Sequence, residues 1–288
     1  MIVKPPRALL PSAARRFAAG QTGSDAVATA TTLVDLGFRV TLEHCAGPSA
    51  DRESAESAVQ ADLELLDLLH ATGLACDTDV TVPLSAVGLL VDERLALDNA
   101  SRLAAAAAQC GTTVTLEADD HVDVDALLRV LGEVRREWPG TAVALRAALL
   151  RTEDDCAALA GSRVRLDRGG PREPGSVART DPHAADLAYV RCLNLLLEAD
   201  GNPVFATHDP RLLEIAGERA RWFGRDPGEY ELQLPLGVRT AERDRLAAAG
   251  DVVRVRAPYG PAWPDRLDRL VERPADVALL LRGLVGRA

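Results

Sequence analysis

Two arginines three residues apart, followed by two glycines, stand in the stretch Arg165-Leu166-Asp167-Arg168-Gly169-Gly170. Such a stretch sets cations beside backbone that can approach a ligand closely. That suits a phosphate or the pyrimidine edge of a flavin. Further polar residues fall at the ends of short apolar runs: Glu43 and His44, Glu117, Arg146, Thr207 and His208, Gln233 and Arg256, with Pro83 at another such end. Acids, arginines and a histidine gathered this way could orient a small polar molecule. Loops are polar in any fold, however, so the clustering by itself leaves a purely structural role open.

Several other chemistries find no support. His44, His70, His121, His183 and His208 show neither HxH nor HxxxH spacing, so no metal site is expected. No GxSxG elbow, phosphate-binding Walker loop or GxGxxG fingerprint occurs. The five cysteines are scattered, odd in number and never spaced as CxxC, which fits free thiols in a reducing cytoplasm. The 33 basic and 43 acidic residues leave a net charge of −10, and aromatics make up 3%. Neither a phosphate-backbone footprint nor a base-stacking platform is expected, so nucleic acid is excluded as a partner. The N-terminus lacks the long apolar core of a secretion signal, and no run reaches the length of a membrane span. A cytoplasmic protein without a transmembrane segment is the expectation.

The elements that must position these residues alternate between two periods. Strand-like runs read Phe38 to Glu43, Asp79 to Leu84, Thr112 to Glu117, Thr141 to Arg146, Arg163 to Leu166, Pro203 to Thr207, Tyr230 to Leu234 and Asp251 to Arg256. Helix-like stretches lie between them, including Glu56 to Gly73 and the Ala-rich Arg94 to Gly111, each ending on glycine. Asp181–Pro182 and Asp209–Pro210 read as N-cap followed by first helical residue. Eight strand candidates alternating with helices predict an α/β fold, a (β/α)8 TIM-type barrel, as one domain over residues 1–288. Active sites of such barrels lie at the carboxyl ends of the strands, where the candidates above fall.

Taken together, the segments resemble the proline dehydrogenase family of FAD-dependent barrel enzymes. RRFAAGQT resembles that family's opening, and RVRLDRGGPREP its R-L-V-K-G-A-Y-x-E-P flavin segment. FATHDPRLLEIA resembles its strand-six T-H-N/D turn, and YELQLPLGVR its E-F-Q-M-L-x-G-x-R. RVRAPYGPAWPDRLDRLVERPADVALLLRGL resembles its closing V-x-V-Y-x-P-Y-G-x-x-W segment and the helix that follows. The matches run in order from about residue 13 to the C-terminus.

The resemblance implies FAD on the strand ends and a last helix lying over the barrel mouth. Carried over residue by residue, the cofactor contacts are Arg165, Arg168, Gly169, Gly170, Thr207 and His208. Arg146 stands where the family usually has a flavin-contacting Gln, and Ala118 follows the strand-three acid. The substrate half of the site departs from the family. Its strand-two Lys matches Pro83, its strand-three Asp matches Glu117, the Tyr of its G-A-Y segment matches Pro171, and its strand-eight Tyr matches Arg256. On the last helix its Arg pair matches Asp268–Arg269 and a nearby Tyr matches Asp265, while Arg269 and Glu272 keep their types. Asp265, Asp268, Arg269 and Glu272 share one helical face. The expectation is a flavin enzyme that oxidises a C–N bond of an imino acid or cyclic amine other than plain proline. Glu117, Arg256, Arg269 and Glu272 would do the catalytic positioning, with Asp265 and Asp268 contacting substrate. The resemblance leaves the electron acceptor open, a membrane quinone being common in the family. Two alternatives stand beside this reading: a non-catalytic member that binds a ligand or partner, and a genuine proline dehydrogenase with altered contacts.

Overall fold

The computed structural model describes residues 14–169 and 173–264. Eight parallel strands close into a barrel in chain order: β1 (Arg39–His44), β2 (Thr78–Pro83), β3 (Val114–Glu117), β4 (Ala142–Arg146), β5 (Val164–Asp167), β6 (Val204–Ala206), β7 (Glu231–Pro235) and β8 (Val253–Tyr259). Helix α1 (Gly23–Asp35) precedes β1. The remaining helices alternate with the strands: α2 (Arg52–Ala71), α3 (Glu93–Cys110), α4 (Val124–Val134), α5 (Thr152–Ala158), α6 (Pro182–Glu198), α7 (Pro210–Trp222) and α8 (Thr240–Ala248). β1 and β8 close the ring, with Glu43 opposite Pro258 and His44 opposite Tyr259. This is the expected (β/α)8 architecture. The helix expected over the mouth, with Asp265, Asp268, Arg269 and Glu272, lies outside the described residues, as do Gly170 and Pro171.

Local chemistry accounts for the element ends. Asp181 accepts from the Ala184 N–H at 2.7 Å, and Pro182 occupies the first helical turn, where its missing N–H is harmless. Asp209 and Pro210 open α7 in the same way. α3 stops at Gly111, whose φ of 81° is the left-handed conformation that glycine adopts without a Cβ penalty. Two helices are absent from the sequence reading. α5 is only seven residues long and buries little beyond Thr152, Asp155 and Cys156, so it carries almost no apolar period. α1 is announced by a capping box between Thr22 and Asp25 rather than by its hydrophobic pattern.

Alternate strand residues divide the packing. Val40, Leu42, Val80, Val82, Leu116, Val143, Val164, Leu166, Leu232 and Leu234 are fully buried in the apolar core. The other set meets inside the barrel and is polar. Its lower tier joins Arg163, Arg254 and the partly exposed Arg39 to Asp79 and Glu231. Its upper tier joins Arg165 and Arg256 to Glu43, Glu117 and Asp167. Thr41, Thr81 and Gln233 add hydroxyl and amide groups to the same interior. Barrels of this class commonly fill their interior with branched apolar side chains. This interior is an ionic lattice instead.

Candidate active site

The upper tier sits at the carboxyl ends of the strands. Arg256 of β8 donates from Nε to Glu43 of β1 and from Nη2 to Glu117 of β3, both at 2.8 Å. Its Nη1 lies 3.6 Å from Asp167 of β5. Arg165 of β5 reaches the same Glu117 carboxylate, donates to Thr81 of β2 at 2.7 Å and pairs with Asp167 at 3.0 Å. Burial alone would make the Arg256 cation less favourable, but Glu117, Glu43 and Asp167 outweigh it and hold its pKa well above the ordinary value. Three carboxylates thus meet two arginines in one enclosed cluster. Of the catalytic candidates, Glu117 and Arg256 are brought into direct contact. Pro83 is buried beside Glu117 in the β2–β3 register.

The other described cofactor candidates fall at or just past the ends of β3, β4, β5 and β6. Arg168 is buried and donates to Asp186 at 2.6 Å, to the Pro182 carbonyl at 3.0 Å and to the Gly169 carbonyl at 3.1 Å. Gly169 has φ +82°, and a Cβ there would lie 3.1 Å from the Ala148 Cβ, so the β5 loop runs tight against the β4 loop. Ala118, Thr207 and His208 are buried at the ends of β3 and β6. The Thr207 hydroxyl accepts from the Asp209 N–H at 3.1 Å, coupling the β6 end to the start of α7. Arg146 ends β4 and donates from Nη1 to Glu173 and, at 3.4 Å, to the Asp119 carbonyl. Glu173 in turn lies 2.7 Å from His121 Nδ1.

Two observations test whether a polar cofactor suits this mouth. Arg146 Nη2 and Gln233 Oε1 are enclosed yet lack a hydrogen-bond partner among the described residues. A buried donor or acceptor left unmade costs about 1–3 kcal/mol, so such atoms mark where a ligand would bond. A donor at the end of β4 and an acceptor within β7, level with the end of β6 and the buried Thr207–His208 turn, suit the polar edge of a flavin. The residues present are therefore compatible with FAD.

The sequence reading missed one buried polar group next to the mouth. His44 Nδ1 lies 3.7 Å from Asp62 of α2, and the His44 ring stacks on Tyr259 with centroids 5.2 Å apart. Burial pushes the Asp62 carboxyl well above its usual range and lowers the His44 pKa, which favours a neutral pair. Asp62 sits within the apolar period of α2, and nothing in the sequence marks it as different from a surface acid.

No protein-family model matches the chain. Curated relatives do. Proline dehydrogenase of Deinococcus radiodurans is 31% identical over 286 residues, covering 94% of this chain and 90% of that protein. Proline dehydrogenase 1 of Bacillus subtilis subsp. natto is 26% identical over 275 residues with the same coverage of each. Among solved structures, proline utilization A (PutA) from Bdellovibrio bacteriovorus, inactivated by N-propargylglycine, superposes with a TM-score of 0.81 at 17% identity. PutA from Corynebacterium freiburgense gives 0.79 at 15% identity. These two comparisons cover 96% and 98% of this chain but only 33% of either PutA chain, so the chain spans about a third of those proteins and shares their fold over that part. With 31% identity spread over nearly the full length of a curated relative, and a closed eight-stranded parallel barrel, the chain belongs to the proline dehydrogenase family, flavin-dependent oxidoreductases that act on a CH–NH group.

Proposed function

We propose that this enzyme oxidises a cyclic secondary amine in which anionic character is weak or absent, in preference to proline itself. FAD is the cofactor of the family, and when bound it accepts a hydride from the carbon beside the amine nitrogen. The role of the chain is then to orient the amine and exclude water, with little acid–base work. Arg165, Arg168, Gly169, Gly170, Thr207, His208, Ala118 and Arg146 are the proposed cofactor contacts. Glu117, with Arg269 and Glu272, is proposed to position the substrate, alongside Asp265 and Asp268.

The enclosure of Arg256 carries this reading. Its three nitrogens already face Glu43, Glu117 and Asp167. Arg256 is therefore proposed to act as a counter-ion inside the barrel rather than as a clamp for a substrate carboxylate. Among the described residues two arginines face three carboxylates, an excess of one negative charge that favours an ammonium group and disfavours a carboxylate. Pro83 adds no cation where the family has one. Anaerobic reduction of the FAD-loaded protein tests the reading. Pyrrolidine should bleach the flavin with a second-order rate constant at least tenfold above that of L-proline. If L-proline is the faster reductant, the proposed specificity is wrong. If neither reduces the flavin while dithionite does, a non-catalytic role replaces it.

A further inference from the structure

We infer that Arg146 raises the reduction potential of the bound flavin, with Glu173 moderating the effect. The inference rests on the FAD reading above and deepens it. Arg146 ends β4 in register with Asp167, whose carboxylate meets Arg165 and Arg256 inside the barrel. Partners in register on parallel strands leave the sheet on the same face, so the Arg146 side chain starts from the interior face at the mouth. Its Nη1 is engaged by Glu173 and by the Asp119 carbonyl, while Nη2 is enclosed and has no partner among the described residues. The resemblance matches Arg146 to a neutral Gln, and on that match this chain carries a permanent charge in place of an uncharged amide.

A guanidinium remains charged at any accessible pH. Two-electron reduction adds negative charge to a flavin ring, so a fixed cation beside it favours the reduced form. Glu173 cancels part of that field, and its carboxylate is itself shared with His121, 2.7 Å from Nδ1. Gly169 packs closely against the base of this side chain, since a Cβ there would lie 3.4 Å from that of Arg146.

The test needs FAD but no substrate. The unaltered protein and the R146Q, R146K and E173Q variants are each loaded with FAD, and midpoint potentials are measured by equilibration with redox dyes. R146Q should shift the reduction equilibrium at least tenfold toward the oxidised form, about 30 mV for a two-electron couple. R146K should keep most of the original potential, and E173Q should raise it. An R146Q potential equal to that of the unaltered protein overturns the inference, as does an equal fall in R146Q and R146K. If R146Q no longer holds FAD, E173Q decides, and an unchanged or lowered potential there overturns it. Failure of the unaltered protein to take up FAD overturns the functional reading itself, a different outcome from an insensitive potential.

Discussion

Arg256 joins three strands through one guanidinium, and its loss should be felt well beyond the site. Its side chain is largely buried, and Glu43 beside it is almost wholly so. Removing one partner of a buried pair leaves an uncompensated charge, which typically costs about 3–5 kcal/mol. R256M should therefore lower the free energy of unfolding by about that amount in urea titrations. Adding E43Q to R256M removes a carboxylate that has lost its Arg256 contact and should recover about 1 kcal/mol or more, because groups in contact are not additive. Strict additivity of the two substitutions would show that the Arg256–Glu43 contact is not formed in solution. Replacing Arg256 with a neutral residue also leaves the mouth more acidic, so it should not create affinity for a carboxylate.

At the scale of elements, the junction after β8 is a tightly constrained turn near the mouth. Gly260 has φ +94°, and a Cβ there would lie 2.9 Å from His44 Cδ2. The same junction is tied to β1 by the Cys45 N–H to the Tyr259 carbonyl at 2.8 Å and by the Ala262 N–H to the Cys45 carbonyl at 2.9 Å. G260A therefore faces both left-handed backbone strain and a clash with a ring already stacked on Tyr259. Gly111 supplies the control, because its φ is also positive (+81°) but nothing lies within 4 Å of a Cβ there. G111A should cost about 1 kcal/mol from backbone strain alone. G260A should cost clearly more in parallel thermal melts and should lower FAD retention. Equal costs would mean that His44 gives way freely.

The whole molecule is pinned by the two ionic tiers, and the lower one predicts how it responds to acid. Burial pushes the Glu231 carboxyl up, but Arg254 and Arg163 more than reverse this and hold it far below the ordinary range. Its folded pKa is thus depressed relative to the unfolded chain, where a glutamate titrates at about 4.3. Below that value the unfolded state binds the extra proton, so stability is present above about pH 4.3 and is lost as pH falls further. Urea midpoints taken between about pH 3 and pH 6 should rise with pH across this window. E231Q should flatten that rise and lower stability at pH 6, since Arg163 and Arg254 lose their carboxylate. A slope unchanged in E231Q would assign the acid sensitivity to other carboxylates. The strands and most helices, with the caps at Asp181 and Asp209, were readable because apolar period and capping chemistry are local properties of the chain. Which charges meet was not readable, and the reason is geometric. Charged residues alternating along Arg254 and Arg256, or along Arg163 and Arg165, read equally well as facing water or facing a polar barrel interior. Only closure of β1 against β8 brings Glu43 to Arg256, 213 residues away in the chain, so the contact on which the proposed counter-ion role rests exists in the tertiary structure alone.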